Sequence, residues 1–129
     1  MLRVNKATNL QFLNSWWEEI NGTSLNENCF PPDRFYVIKD EEPVAYFGLH
    51  RMECCIGYLG FPTISNAVRR KERAEVYKTM CDCVKSWAAK NGLEAVFISI
   101  EGISAQKNLI KCGFNIESES TAKHLFMKV

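Results

Sequence analysis

The feature that most constrains this chain is the run from Phe61 to Ala89 and the strand that follows it. It reads as the end of a strand, a short basic turn and the longest helix in the protein. The small or apolar residues Ala74, Tyr77, Cys81, Val84 and Ala88 recur at helical spacing, and Met80 and Trp87 widen the stripe. Arg70, Lys71, Asp82 and Lys85 fall largely on the other faces. Ser65 or Asn66 offers an N-terminal cap, and Asn91-Gly92 a stop. The buried strand Ala95–Ile100 follows at once. Strand, helix and strand at this spacing form a βαβ unit, whose parallel strands require a right-handed crossover.

The turn itself is chemically unusual. Arg69, Arg70, Lys71 and Arg73 stand against one acid, Glu72, in what the pattern reads as the first turns of the helix. Free N–H groups and the helix dipole already make that end positive, so cations there cost roughly 0.3–1 kcal/mol each. A bound anion reverses the sign, because a helix N-terminus is a natural phosphate site. The plainer reading is a solvated face whose long side chains reach away from the helix end.

A chain of 129 residues suits one domain with one core, and 1–129 is read as such. A domain of this size buries about two-thirds of its unfolded surface without staples. The net charge of +1 argues against a nucleic-acid binder; only the patch at 69–73 could revive that reading. The six cysteines do not read as a disulfide set. Cys54 and Cys55 are adjacent, Cys81 and Cys83 point to different sides of a helix, Cys112 ends a short helix, and Cys29 lies in a loop. No pair has the spacing of a zinc or redox site, so no metal is expected. All six are read as reduced thiols, mostly buried, in a cytoplasmic protein. The absence of a signal peptide and of a transmembrane run fits that reading.

In chain order, Leu2–Val4 is a short strand. Thr8 or Asn9 caps a helix to about Ile20, with the stripe Leu10, Leu13, Trp16, Trp17 and Ile20, and Asn21-Gly22 ends it. Tandem tryptophans cannot point one way on a helix, so one ring is core and the other partly exposed or over the next loop. Residues Thr23–Asp33, with Asn26, Asn28, Pro31 and Pro32, are irregular. Arg34–Asp40 and Val44–His50 form a hairpin around Glu41-Glu42-Pro43, and a third strand runs from about Glu53 to Ile64. Gly60 and Pro62 near its end predict a bulge or a splay. A splayed end leaves backbone N–H and C=O groups free to take an extended, amide-bearing ligand. After the βαβ unit, Ser104 caps a short helix over Ala105–Cys112, with Gly113 beyond it, and Phe114–Glu119 and His124–Val129 close the chain as strands.

This order, the basic turn after an antiparallel meander, the strand AVFISI at 95–100 and the segment AQKNLIKCGF at 105–114 resemble the GCN5-related N-acetyltransferases (GNAT). The resemblance implies an α/β fold of α+β mixed type, with a central, mostly antiparallel sheet and helices on both faces. It implies acetyl-CoA as cosubstrate, with the turn's backbone N–H groups on the pyrophosphate. Two departures stand out. If Arg69 starts the family's Arg/Gln-x-x-Gly-x-Gly/Ala pattern, the glycine position is Glu72 and the last small position Ala74. If Arg70 starts it, those positions are Arg73 and Glu75, and either way a Cβ stands where backbone should approach phosphate. Counting back from Gly113-Phe114, the family's Asn falls on Gly102, its Ala on Ala105 and its acid Tyr on Leu109. Trp16-Trp17, the Pro31-Pro32 loop, the PVAYFGL strand and the closing HLFMKV resemble, more narrowly, short GNAT-like proteins of tailed bacteriophages and prophages.

The resemblance thus implies cofactor contacts at Phe61, Thr63, Ile64, Arg69, Arg70, Lys71, Glu72, Arg73, Ala74 and Ala105. Acetyl transfer to an amine needs a base, a donor to the thioester carbonyl and a proton for the thiolate. His50 and Glu53, both near a strand connection, are the candidate bases, each against a plainer reading as a packed or solvated residue. Tyr46 or Tyr58 replaces the missing tyrosine only if the fold brings it to the thioester. His124 reads as a cross-strand partner, and no cysteine has the surroundings of a nucleophile. Two functions follow as expectations: an acyl-CoA-dependent N-acetyltransferase with an unidentified amine acceptor, or a catalytically inactive GNAT-fold phage accessory or virion-associated binding protein. No membrane partner is expected, and a homodimer is compatible with either function.

Overall fold

A computed structural model describes residues 1–23, 26–52, 55–100 and 102–115. The elements are β1 (Leu2–Lys6), α1 (Gln11–Asn21), a 3-10 turn (Glu27–Cys29), β2 (Asp33–Lys39), β3 (Glu42–Arg51), β4 (Ile56–Ile64), a second 3-10 turn (Arg70–Glu72), α2 (Arg73–Lys90), β5 (Ala95–Phe97) and α3 (Ile103–Lys111). They make one sheet in the order β1-β2-β3-β4-β5. The first four strands are antiparallel neighbours, and β5 joins β4 in parallel. This is the expected meander followed by a βαβ unit. The two closing strands fall mainly on 116–129, outside the described residues, as do Glu53 and Cys54.

Alternation along the strands sends successive side chains to opposite faces. One face carries Val37, Ala45, Phe47, Leu49 and Leu59, packed against Val76, Tyr77, Met80, Cys81 and Val84 of α2 and Leu109 of α3. The other carries Tyr36, Ile38 and Tyr46, packed against Leu10, Leu13 and Trp16 of the first helix and its cap, with Phe30 from the loop. Helices therefore cover both faces. Trp87 ties the first layer to a strand end, its Nε1–H donating to Asp33 Oδ2 at 3.1 Å.

Several boundaries differ from the sequence reading. Ile20 is 52% exposed and leaves the stripe of α1. Trp16 is the core ring, and Trp17 is half-buried over Phe61. In α2 the expected residues Tyr77, Met80, Cys81 and Val84 are buried and the stripe also takes in Val76, whereas Ala74, in the helix's first turn, is exposed. Ser65 does not cap it: its Oγ accepts the Ala67 N–H in a tight turn eight residues earlier. The hairpin turns on Asp40 and Glu41, both at positive φ (50° and 69°), while Pro43 lies inside β3 at a register shift, where its missing N–H is tolerated. β4 begins at Ile56 and β5 spans three residues. Gly102, not Ser104, is the residue before α3, and the loop holds one 3-10 turn capped by Asn26, whose Oδ1 accepts the Asn28 N–H. Of the five described cysteines only Cys81 is fully buried, and Cys29 is exposed.

Candidate active site at the splayed strand

The ladder between β4 and β5 covers only Ile56–Tyr58 against Ala95–Phe97. β4 continues to Ile64 beside β3 alone, so the two parallel strands part after Tyr58. Between the pairs Gly48↔Gly60 and Tyr46↔Thr63, β3 has one residue and β4 has two. The extra residue is a bulge formed by Phe61 and Pro62, and it puts Phe61 at φ 51°. That conformation costs a non-glycine residue roughly 1–2 kcal/mol. Aromatic packing holds it there: the Phe61 ring centroid lies 5.0 Å from Phe30 and 5.8 Å from Trp17, both edge-on. Thr63 Oγ1 donates to Phe61 O at 3.0 Å across the bulge. The expected splay is therefore present, with Phe61, Thr63 and Ile64 along it.

The basic turn follows directly. Ser65 O accepts the Val68 N–H, Arg69 O accepts the Glu72 N–H, and Arg70 O accepts the Arg73 N–H. The N–H groups of Arg70 and Lys71 take part in none of these bonds. Arg69, Arg70 and Lys71 are exposed and form no salt bridge with a described residue. Arg73 is half-buried, and its Nε has no hydrogen-bond partner among the described residues. Glu72 is paired across to β2, its Oε1 3.0 Å from Lys39 Nζ, and that hydrogen bond holds its carboxyl below the usual glutamate range. Arg70, Lys71 and Glu72 form a 3-10 turn that runs directly into α2, and Arg73 is the helix's first residue.

The remaining candidates are more dispersed. Ala105 lies on α3, half-buried against the α2-side core. Leu109, at the family's tyrosine position, is 1% exposed within that core. His50 is exposed on β3 opposite Tyr58, where the β4–β5 pairing ends. Glu53 lies outside the described residues. Tyr46 is fully buried, its hydroxyl has no partner among the described residues, and burial pushes its pKa up, so it keeps its proton. An unpartnered buried hydroxyl costs about 1–3 kcal/mol. Arg34 and Pro31, which like that hydroxyl adjoin Gly48, were not legible as site residues, because only the register of three strands and a loop brings them together.

Three features suit an acyl-CoA in the donor chemistry they offer. Among the described residues, three exposed cations have no counter-ion, the N–H groups of Arg70 and Lys71 have no bond outside the helices, and β4 has no partner beside β3 after Tyr58. Glu72 does not oppose this, because Lys39 already neutralises it.

No protein-family model and no curated protein matches the chain in sequence. Solved structures do match in fold. An aminoglycoside acetyltransferase from an uncultured soil metagenomic sample, in complex with sisomicin, aligns with a TM-score of 0.74 and 13% identity, covering 98% of this chain and 97% of its own. A probable acetyltransferase aligns at 0.73 and 15%, covering 100% and 99%. A GNAT-family acetyltransferase from Streptococcus pneumoniae aligns at 0.70 and 11%, covering 100% and 98%. The chain has the fold of the GCN5-related N-acetyltransferases.

Proposed function

We propose that this chain is an acyl-CoA-dependent N-acetyltransferase, a single GNAT domain over 1–129. The observation that carries the reading is the nearness in sequence of the parted strands and the exposed cations of the basic turn: six residues of β4, 59–64, run free of β5, and one tight turn separates them from Arg69. Arg69, Arg70, Lys71 and Arg73, with the backbone N–H groups of Arg70 and Lys71, would hold the pyrophosphate. Backbone groups at Phe61, Thr63 and Ile64 would hold the amide-bearing arm as an added strand and polarise the acyl carbonyl. Glu72 and Ala74 border the turn, and Ala105 would meet the arm from α3. Acetyl-CoA supplies the activated acyl group. His50 or Glu53 would take the acceptor's proton, directly or through water. The resemblance to tailed-phage proteins would put this activity in the cytoplasm of an infected bacterium.

The test is isothermal titration with acetyl-CoA on the wild type and on Arg69→Ala/Arg70→Ala/Arg73→Ala. Binding by the wild type that is lost in the variant is expected. Binding that survives unchanged would move the cofactor elsewhere, and no binding at all would end the proposal.

A second reading, an inactive GNAT-fold phage accessory or virion-associated protein, rests on Leu109. Its burial in the α2-side core leaves no proton donor at the family's tyrosine position. A stable assembly with a protein partner and no turnover of any amine would favour that reading.

A further inference from the structure

Gly48 and Gly60 stand directly opposite each other on β3 and β4. Two missing side chains leave a notch in the α1 face of the sheet. The ring of Pro31 fills it: its Cγ would lie 2.8 Å from a Cβ at Gly48 and 2.9 Å from one at Gly60. The Tyr46 hydroxyl borders the notch, 2.9 Å from the same Gly48 Cβ position. It is a donor without an acceptor among the described residues, because burial holds the proton on it.

Arg34 forms the neighbouring wall, opposite Gly48 on β2. Its Nε donates to Pro31 O at 2.9 Å and its Nη2 to Glu27 O at 2.8 Å. That edge of a guanidinium is the fork that binds the two oxygens of a carboxylate. Here two neutral loop carbonyls occupy it, and Arg34 has no ion pair with a described residue. The loop thus supplies, in its seated position, the oxygen pair that the fork is built to receive.

We infer that this notch is the acceptor pocket and that the acceptor is an amine bearing a carboxylate, which displaces Pro31 and takes the fork of Arg34 while the Tyr46 hydroxyl donates to one of its oxygens. The inference rests on the acetyltransferase reading for the amine, but the carboxylate follows from Arg34 and Tyr46 alone. The notch adjoins the Phe61–Pro62 bulge, so an acceptor held there is beside the parted strands. A positive guanidinium at the wall disfavours an acceptor that carries only cations.

The test uses the proteinogenic L-amino acids and β-alanine, each against its own carboxamide, which differs only in the carboxylate. Thermal shift reads binding, and CoA-thiol release with acetyl-CoA reads turnover. At least one acid should stabilise the wild type and be preferred over its amide by about tenfold or more in kcat/KM. Arg34→Lys, which keeps the charge but loses the fork, should remove that preference. Tyr46→Phe, which deletes only the hydroxyl, should lower it about threefold to tenfold. Pro31→Ala should lower KM for the acid, which a merely structural proline would not do. Equal or better use of amides, or no stabilisation by any acid in a protein that binds acetyl-CoA, would overturn the inference and leave the acetyltransferase standing. Failure to bind acetyl-CoA, with acids still stabilising through Arg34, would overturn the acetyltransferase and leave the pocket.

Discussion

Lys39 Nζ lies 3.0 Å from Glu72 Oε1, so a strand residue neutralises the only acid of the basic turn. On sequence alone Glu72 is the one acid among Arg69, Arg70, Lys71 and Arg73. The structure turns it toward β2 and leaves Arg69, Arg70 and Lys71 facing solvent.

This pair makes stability depend on pH in a stated direction. The hydrogen bond from Lys39 lowers the Glu72 carboxyl below its ordinary value, with further help from the charges of Lys39, Arg69 and Lys71. A depressed folded value contributes stability that is fully present above the unfolded pKa of ~4.3 and is lost as pH falls through the folded value. Chemical denaturation of wild type and Lys39→Met should therefore differ at pH 7 and converge once the pH has fallen below the depressed folded value. A difference that grows on acidification would refute the assignment.

Phe61 should invert the usual ranking of small residues in a strand. At φ 51° a Cβ is strained, whereas glycine is not. Phe61→Gly should be more stable than Phe61→Ala by about 1 kcal/mol, although both should fall below wild type for lack of the Phe30 and Trp17 contacts. Urea midpoints of the two variants decide this, and alanine ranking above glycine would mean that the bulge relaxes.

The β2–β3 turn is carried by residues poorly suited to it. Asp40 and Glu41 both adopt positive φ, which an Asn-Gly pair adopts readily. The double substitution Asp40→Asn/Glu41→Gly should raise stability by about 1 kcal/mol. The loss of the exposed Arg3–Glu41 pair, 3.0 Å long, offsets little of this. A lower melting temperature would show that the turn is held by something other than its backbone.

Thiol reactivity should separate sharply. Cys29 is exposed, while burial and the neighbouring Cys112 push the Cys81 thiol up to about 12. Under native conditions at pH 8, Ellman's reagent should label Cys29 at once and leave Cys81 unlabelled until the protein unfolds. Peptide mapping that finds Cys81 among the first labelled would contradict the packing of α2 on the sheet.

The sequence by itself determined the type and order of the elements from β1 to α3, and the stops of the first two helices. Period and punctuation are local: Gly22 (φ 77°) ends α1 and Gly92 (φ 65°) follows α2 where the Asn-Gly pairs predicted. The stripe of α2 and the alternation of β2 and β3 sort residues between core and solvent before any partner is known. The splay was legible from Gly60 and Pro62 because both weaken a ladder through their own chemistry. The tertiary structure decided what depends on register. That Lys39 reaches Glu72 and that Gly48 meets Gly60 beneath Pro31 are relations between residues far apart in the chain. A one-residue slip in any strand would turn those side chains to the other face, so no local pattern encodes them. The helices and strands from β1 to α3 followed from their own spacing, whereas the notch at Gly48 and Gly60, beside Arg34 and Tyr46, exists only once three strands and a loop are in register.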